Sequence, residues 1–394
     1  MDKWKLIRAA DFIDFNPRES VSKGAMAKKV AMEQLQPFTR DIPAFEVAPF
    51  NGGSKFRNGD TLMARITPCL ENGKTALVNI LDNDEVGFGS TEFIVLRAKP
   101  GISDKDFVYY LATSPLMRDK AIKSMVGSSG RQRVQHSVMV EMEFLLPPIW
   151  EQIEIGCTLR ALDDKIANNR AINHHLEQMA QAIFKSWFVD FEPFGGEKPS
   201  DWQTGSLADI ADYLNGLAMQ RFRPADGQVG LPVLKIRELR QGSCDATSEL
   251  CSPCIHYDYK VHDGDVIFSW SGSLLVDFWC GGDCGLNQHL FKVTSRLYDK
   301  WFYYAWTNHY LDRFIAIAAD KATTMGHIKR EALENAEVLI PTEKDYSTVG
   351  DLLTPLYEQV IRNRVENRKL ALLRDSLLPR LISGELSVAD VDAK

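Results

Sequence analysis

The chain has 394 residues, of which 45% are hydrophobic and 25% charged, with a formal charge of −7; this is an ordinary folded composition with room for two or three domains. No run approaches the eighteen or more apolar residues of a membrane span, the start Met1-Asp2-Lys3-Trp4-Lys5 lacks the apolar stretch of a secretion signal, and seven unevenly spread cysteines are expected to be reduced thiols of a cytoplasmic protein. The acidity excludes a generic nucleic-acid coat: residues 1–150 hold 20 Lys and Arg against 18 Asp and Glu, and residues 201–341 hold 13 against 18, so DNA contact would have to come from local basic faces.

Residues 1–149 read as a first globular unit. Short alternating apolar runs lie between the turn signals Asn51-Gly52-Gly53, Asn58-Gly59-Asp60, Glu71-Asn72-Gly73 and Gly87-Phe88-Gly89, which predicts strands and hairpins. A helix is predicted over Asp104 to Met125. Phe144-Leu145-Leu146-Pro147-Pro148 is a closing strand stopped by proline. Residues 150–190 form a first long helix, from about Glu151 to Phe188, and 191–200 a linker rich in proline and glycine. A second globular unit follows over 201–342, with a helix predicted from Tyr298 to Ala319. Residues 343–384 are a second long helix, which Pro379 should end or kink, and 385–394 a polar, acidic tail.

The two long helices carry one pattern. Leu159, Leu162, Ile166, Asn169, Asn173, Leu176, Ala180, Ile183 and Trp187 form a heptad seam with two asparagines at its middle. Leu353, Leu356, Val360, Asn363, Asn367, Leu370, Arg374, Leu377 and Leu381 repeat it at an offset of 194, broken only at Arg374. An asparagine in an apolar seam selects the alignment in which it meets another polar group, so Asn169, Asn173, Asn363 and Asn367 are the expected register marks.

The repeat reaches beyond the helices. At the same offset Phe107-Val108-Tyr109-Tyr110 lies opposite Trp301-Phe302-Tyr303-Tyr304, and Gly156 opposite Gly350. Upstream, Trp4 pairs with Trp202 and Gly87–Phe93 with Gly285–Phe291 at an offset of 198, and Asn58-Gly59-Asp60 with Asp263-Gly264-Asp265 at 205. The chain is one unit used twice, a globular domain and then a helix. Helices of about 38 residues span roughly 57 Å. If a pseudo-two-fold axis relates the repeats, the helices run antiparallel with a head near each end, which is a two-headed ruler.

Sites for chemistry are scarce. Gly73-Lys74-Thr75 resembles the end of a phosphate loop, but Pro68 stands where that motif needs glycine. No Asn-Pro-Pro-aromatic methyltransferase signature is present, since Asn16-Pro17 is followed by Arg18. Cys251, Cys254, Cys280 and Cys284, with Cys244, His256 and His262 nearby, form a weak zinc candidate. The counterpart region of the first unit lacks these cysteines, so the expectation is free thiols and no metal.

The order of these features resembles the specificity subunit of type I restriction-modification enzymes. The resemblance is carried by Gly127-Ser128-Ser129-Gly130-Arg131-Gln132-Arg133-Val134 leading to Leu145-Leu146-Pro147-Pro148, by Met325-Gly326-His327-Ile328 leading to Leu339-Ile340-Pro341, and by Leu377 to Leu386. Trp150 stands where that pattern more often has proline. The resemblance implies an α+β fold of two pseudo-two-fold-related α/β target-recognition domains, separated by a long antiparallel two-helix coiled coil. It implies a non-catalytic subunit whose two domains each read one half of a bipartite double-stranded DNA target. The coiled coil would set the spacing and dock two adenine-methyltransferase subunits, with restriction or translocase subunits joining through the complex and no membrane partner. This chain would bind no cofactor itself, while the partner subunits would use S-adenosylmethionine, and ATP and Mg for restriction. The alternative is a stand-alone two-headed DNA-binding regulator.

Under that reading, the DNA contacts of the first domain are expected at Arg131, Gln132 and Arg133, a loop bearing forked donors that can reach phosphates or guanine edges. Lys28, Lys29, Arg57, Arg65 and Lys74 would neutralise the DNA backbone. In the second domain the expected set is Arg221, Arg223, Lys235, Arg237, Lys321, His327, Lys329 and Arg330. Asn287, Gln288 and His289 either read base edges or cap a turn.

Overall fold

The computed structural model describes residues 4–128, 130–320 and 328–392. It divides into two compact units, Met1–Ile166 with Leu370–Lys394, and Ala167–Lys369. The division falls inside both long helices, Ile149–Phe188 and Glu343–Ser383, and not at the linker 191–200. The apolar seams explain why. Ile155, Leu159, Leu377, Leu378, Leu381 and Ile382 are buried in the core of the first unit, whereas Ala180, Phe184, Phe188, Val349, Leu353 and Tyr357 are buried in that of the second.

The strands of the first unit are β1 (Lys5–Arg8), β2 (Ile13–Phe15), β3 (Met26–Val30), β4 (Glu46–Pro49), β5 (Ser54–Phe56), β6 (Thr61–Ala64), β7 (Thr75–Leu77), β8 (Gly87–Gly89), β9 (Phe93–Ala98) and β10 (Glu143–Leu146). They form a β1-β10 pair and two four-stranded sheets, ordered β2-β9-β6-β7 and β4-β3-β8-β5. The second unit contains β11 (Gln203–Ser206), β12 (Asp212–Asn215), β13 (Leu231–Leu234), β14 (Leu250–Cys251), β15 (Lys260–Val261), β16 (Val266–Ser269), β17 (Leu275–Phe278), β18 (Cys284–Leu286), β19 (Leu290–Thr294) and β20 (Glu337–Ile340). Its sheets are β11-β20, β12-β19-β16-β17 and β14-β13-β18-β15. Every label of the first unit recurs ten strands later in the same place. Pairing is antiparallel except for β3 with β8 and its counterpart, β13 with β18.

Matched residues hold matched joints. The Trp4 indole donates to Glu151 at 3.0 Å in the first turns of one long helix, and the Trp202 indole donates to Asp345 at 3.0 Å in those of the other. Gly156 lets the first helix lie against Asp106, where an added Cβ would meet the aspartate Cβ at 2.9 Å. Gly350 does the same beside Trp301, at 3.2 Å from its ring nitrogen.

Within the second unit the asparagines pair crosswise. The Asn169 amide donates to Asn367 at 2.9 Å and to Glu366 at 2.7 Å. Asn363 donates to the Asn173 carbonyl oxygen at 2.8 Å, and Asn173 donates to the Val360 carbonyl at 3.1 Å. Rising numbers on one helix meet falling numbers on the other, so these segments are antiparallel. In the first unit Arg374, the break in the heptad pattern, meets Asp163 at 2.6 Å and both side chains are largely buried.

Two predicted helices need correction, and one of the two outcomes expected at Pro379 does not occur. The helix predicted over Asp104 to Met125 is two, Lys105–Thr113 and Pro115–Lys123, because a proline forces the preceding Ser114 into an extended conformation. The Tyr298–Ala319 prediction likewise resolves into Lys300–His309 and Leu311–Asp320, broken at Tyr310. Pro379 does not end the last long helix, which continues to Ser383. Burial of Leu378, Leu381 and Ile382 outweighs the lost backbone hydrogen bond. The acidic tail also carries a short helix, Val388–Asp392, and Leu386, Val388 and Val391 pack on the first core. Among the described residues no helix is long and apolar enough to cross a membrane.

Candidate nucleic-acid interface

In the first unit the segment 126–133 is tied back on itself and onto the end of β6. Val126 and Arg133 exchange backbone hydrogen bonds of 3.0 and 2.9 Å, Thr67 N–H donates to the Gln132 carbonyl at 3.0 Å, and Val134 N–H donates to the Arg65 carbonyl at 2.9 Å. Gly127 (φ +135°) makes the bend, and an added Cβ there would meet the Arg131 carbonyl oxygen at 2.9 Å. Ser129 lies outside the described residues.

The side chains of this segment divide sharply. Arg133 grips Glu92, with its Nη2 at 2.7 Å and its Nε at 3.0 Å from the carboxylate oxygens, and Arg65 Nε adds a contact at 3.2 Å. The Arg133 guanidinium, and after it Arg65, holds the Glu92 carboxyl below the usual carboxylate range. The side chains of Arg131 and Gln132 have no hydrogen bond or ion pair among the described residues, and Arg131 is exposed. Glu92 thus anchors one arginine of the loop and leaves the other to project.

The other cations of the first unit expected at DNA are matched internally. Lys28 meets Asp82 at 2.9 Å, Glu85 at 3.0 Å and the Ile80 carbonyl at 3.1 Å, and its side chain is only 15% exposed. Lys29 pairs with Glu46 at 3.2 Å, and Lys74 donates to the Met32 carbonyl at 2.9 Å. Arg57 meets Glu19 at 2.7 Å; Arg97 joins the same carboxylate at 2.7 Å and grips Asp60 through two 2.7 Å bonds. Glu19, Asp60, Glu92 and Arg97 were not singled out from sequence. Their partners lie 27 to 78 residues away, and of these four only Asp60 fell within a turn signal.

The second unit repeats the backbone of this frame with other side chains. Ile328 N–H donates to the Trp270 carbonyl at 3.0 Å, the counterpart of the bond from Val134 to Arg65. Trp270 stands where the first unit has Arg65, and Leu290 where it has Glu92. The Trp270 indole donates to Asn215 at 3.0 Å, and its ring lies 6.3 Å from that of His289. Lys321 and His327 lie outside the described residues.

Arg221 and Lys329 are exposed, with no partner among the described residues, and Arg330 is 85% exposed with only Glu334 at 3.6 Å. Lys235 and Arg223 share Glu249, at 2.7 and 3.7 Å, while Arg237 is held by Glu238 at 2.6 Å and Asp245 at 3.3 Å. Asn287 is buried and its side-chain oxygen accepts from His289 N–H at 3.3 Å, which is the turn-capping arrangement. Gln288 contacts the His289 ring at 3.4 Å, and that ring contacts the Ser271 hydroxyl at 3.2 Å.

The cysteine quartet is not assembled. Cys254 is exposed beside Gln228 at 3.5 Å, and the Cys280 thiol faces the Ile361 carbonyl at 3.9 Å, where burial pushes its pKa up to about 11. Cys251 and Cys284 lie on β14 and β18, with β13 between them. His256 and His262 face Asp258 and Asp283, at 3.2 and 2.8 Å. Among the described residues no three His, Cys, Asp or Glu side chains are placed to hold a metal ion.

Residues 49–178 match the family described as the type I restriction modification DNA specificity domain. The type I restriction enzyme MjaIX specificity subunit of Methanocaldococcus jannaschii is 28% identical over 307 residues, which span 73% of this chain and 70% of that protein. The HindI specificity subunit of Haemophilus influenzae is 21% identical over 415 residues, spanning 86% and 89%. In fold, a type I restriction-modification system S subunit from M. genitalium superposes with a TM-score of 0.56 at 15% identity, over 96% of each chain.

Proposed function

We propose that this chain is a type I restriction-modification specificity subunit, supported by its similarity to that family's domain and members, and that each of its two units reads one half of a bipartite double-stranded DNA target. One observation carries this reading. The same backbone frame, Val134 on Arg65 and Ile328 on Trp270, presents different side chains in the two units. A repeated frame gives two heads one way of approaching a groove, and different side chains give them different base edges to recognise. In the first unit Arg131 and Gln132 are the contacts, because their donors are unspent. In the second, Arg221, Lys329 and Arg330 are. Lys28, Arg57, Arg133 and Arg237 shape the fold around them.

The chain acts without an active site of its own. Its paired helices set the gap between half-sites and dock two methyltransferase subunits, which supply S-adenosylmethionine chemistry; restriction subunits, where present, supply ATP and Mg. The complex works in the cytoplasm.

Methylation-site mapping of the chain assembled with its methyltransferase subunit tests this. Arg131→Ala should relax or abolish readout of one half-site and leave the other intact, and Arg221→Ala should do the reverse. If both substitutions weaken the same half, or neither changes the mapped site, the two-head reading is lost. A stand-alone regulator would instead bind a specific site tightly with no partner present. Its acidic balance argues against that, since tight unassisted binding draws mostly on phosphate neutralisation.

A further inference from the structure

The first unit contains a cavity of about 250 Å³ that the DNA-reading surface does not use. Its lining brings together Phe38, Gly73, Thr75, Tyr110, Arg118 and Arg374. Two of these, Gly73 and Thr75, belong to the segment that resembles a phosphate loop in sequence.

Several features of this cavity are left unspent by the fold. The Thr75 side chain is 1% exposed, yet its hydroxyl has no hydrogen-bond partner. The Nε of Arg118 is buried and equally without one. Among the described residues the Arg118 side chain makes no hydrogen bond; its nearest carboxylate is the half-exposed Asp119 at 3.9 Å. Its guanidinium instead lies over the Phe38 ring, 5.2 Å from the centroid. Arg374, by contrast, is fully committed to Asp163 at 2.6 Å and Asp375 at 2.8 Å, and Tyr110 donates to Asp163 at 2.7 Å.

Phe38 is itself unusual. It is 52% exposed and adopts φ +52°, a conformation that a bulky side chain rarely takes and that the Phe38 N–H bond to the Gly73 carbonyl, 3.0 Å, helps to hold. Its ring lies where a Cβ on Gly73 would stand, 2.5 Å away. An aromatic wall, a planar cation stacked on it and an orphan hydroxyl beneath therefore share one cavity.

We propose that this cavity binds a small planar carboxylate. The free guanidinium fork of Arg118 matches a carboxylate in geometry and charge. The Thr75 hydroxyl can donate to the same group, and Phe38, Pro115 and Leu378 enclose an apolar ring or chain. A cavity of this size admits a fragment of about benzoate dimensions.

Saturation-transfer NMR on the full chain, with benzoate as the probe and benzamide as its neutral counterpart, tests the assignment. Benzoate should bind saturably with a dissociation constant on the order of 1 mM or tighter, and benzamide on the order of tenfold more weakly. Arg118→Gln and Thr75→Val should each weaken benzoate on the order of tenfold. Thr75→Val removes an unpaired buried hydroxyl without changing shape, so its melting temperature should hold or rise, which separates lost binding from lost folding. Absence of saturable binding, equal affinity for benzamide, or variants indistinguishable from the parent would overturn the proposal.

Discussion

At the scale of single residues, the fate of a cation is decided by its nearest carboxylate. Arg131, Gln132 and Arg133 look alike in sequence, but Glu92 takes Arg133 and leaves its neighbours. The lowered pKa of Glu92 carries a stability consequence. A carboxylate depressed in the folded state contributes stability that is present above its unfolded value, near 4.3, and is lost as pH falls through the lower folded value. Glu92→Gln should therefore destabilise the protein by about 1 kcal/mol at neutral pH, and the gap should close near pH 2. Urea midpoints at the two pH values measure this, and an equal gap at both would show that the ion pairs are not its source. For DNA affinity, Arg131→Ala should lower the slope of log affinity against log salt by about 1 if the side chain neutralises a phosphate, whereas Arg133→Ala should leave the slope nearly unchanged.

At the scale of elements, the asparagines show how a polar group specifies a helix pair. Asn363 donates to Asn173, whose own amide is spent on the Val360 carbonyl. Asn363→Leu leaves the Asn173 oxygen buried without its donor and should cost about 1–3 kcal/mol in thermal unfolding. Replacing both Asn173 and Asn363 with Leu should recover part of that loss, because the Asn173 oxygen is no longer left without a donor while the Gln359 amide still loses its acceptor, and should weaken the preference for one register. A double variant no more stable than the single one would contradict this account. The heptad seam was legible because its period is a property of the sequence alone. The continuation through Pro379 was not, because the burial that overrides a proline comes from residues remote in sequence.

At the scale of the whole molecule, the first unit is built from two distant segments of chain. Leu377, Leu378, Leu381 and Ile382 are at most 9% exposed within its core. Burying four such side chains contributes roughly 6–12 kcal/mol as an upper bound, comparable with the entire stability of a domain. A fragment of residues 1–166 should therefore lack fixed tertiary structure by near-ultraviolet circular dichroism, and fusing residues 370–394 to it should restore the signal. A fully folded 1–166 fragment would refute the assignment of those leucines to the stabilising core.

The sequence by itself determined the duplication and the two long helices, because an offset and a heptad survive in one dimension. It also marked Gly156 and Gly350, and Trp4 and Trp202, as equivalents, and these form matching joints in both units. Tertiary structure alone decided which charges are spent. Lys28 finds Asp82 at a separation of 54 residues, Arg57 finds Glu19 at 38, and Arg133 finds Glu92 at 41. It also separated Cys251 from Cys284, since sheet order inserts β13 between strands whose spacing in sequence suggested a cluster. Periodicity is local and can be read along a chain, whereas the pairing of a charge or a thiol depends on which distant strand folds beside it.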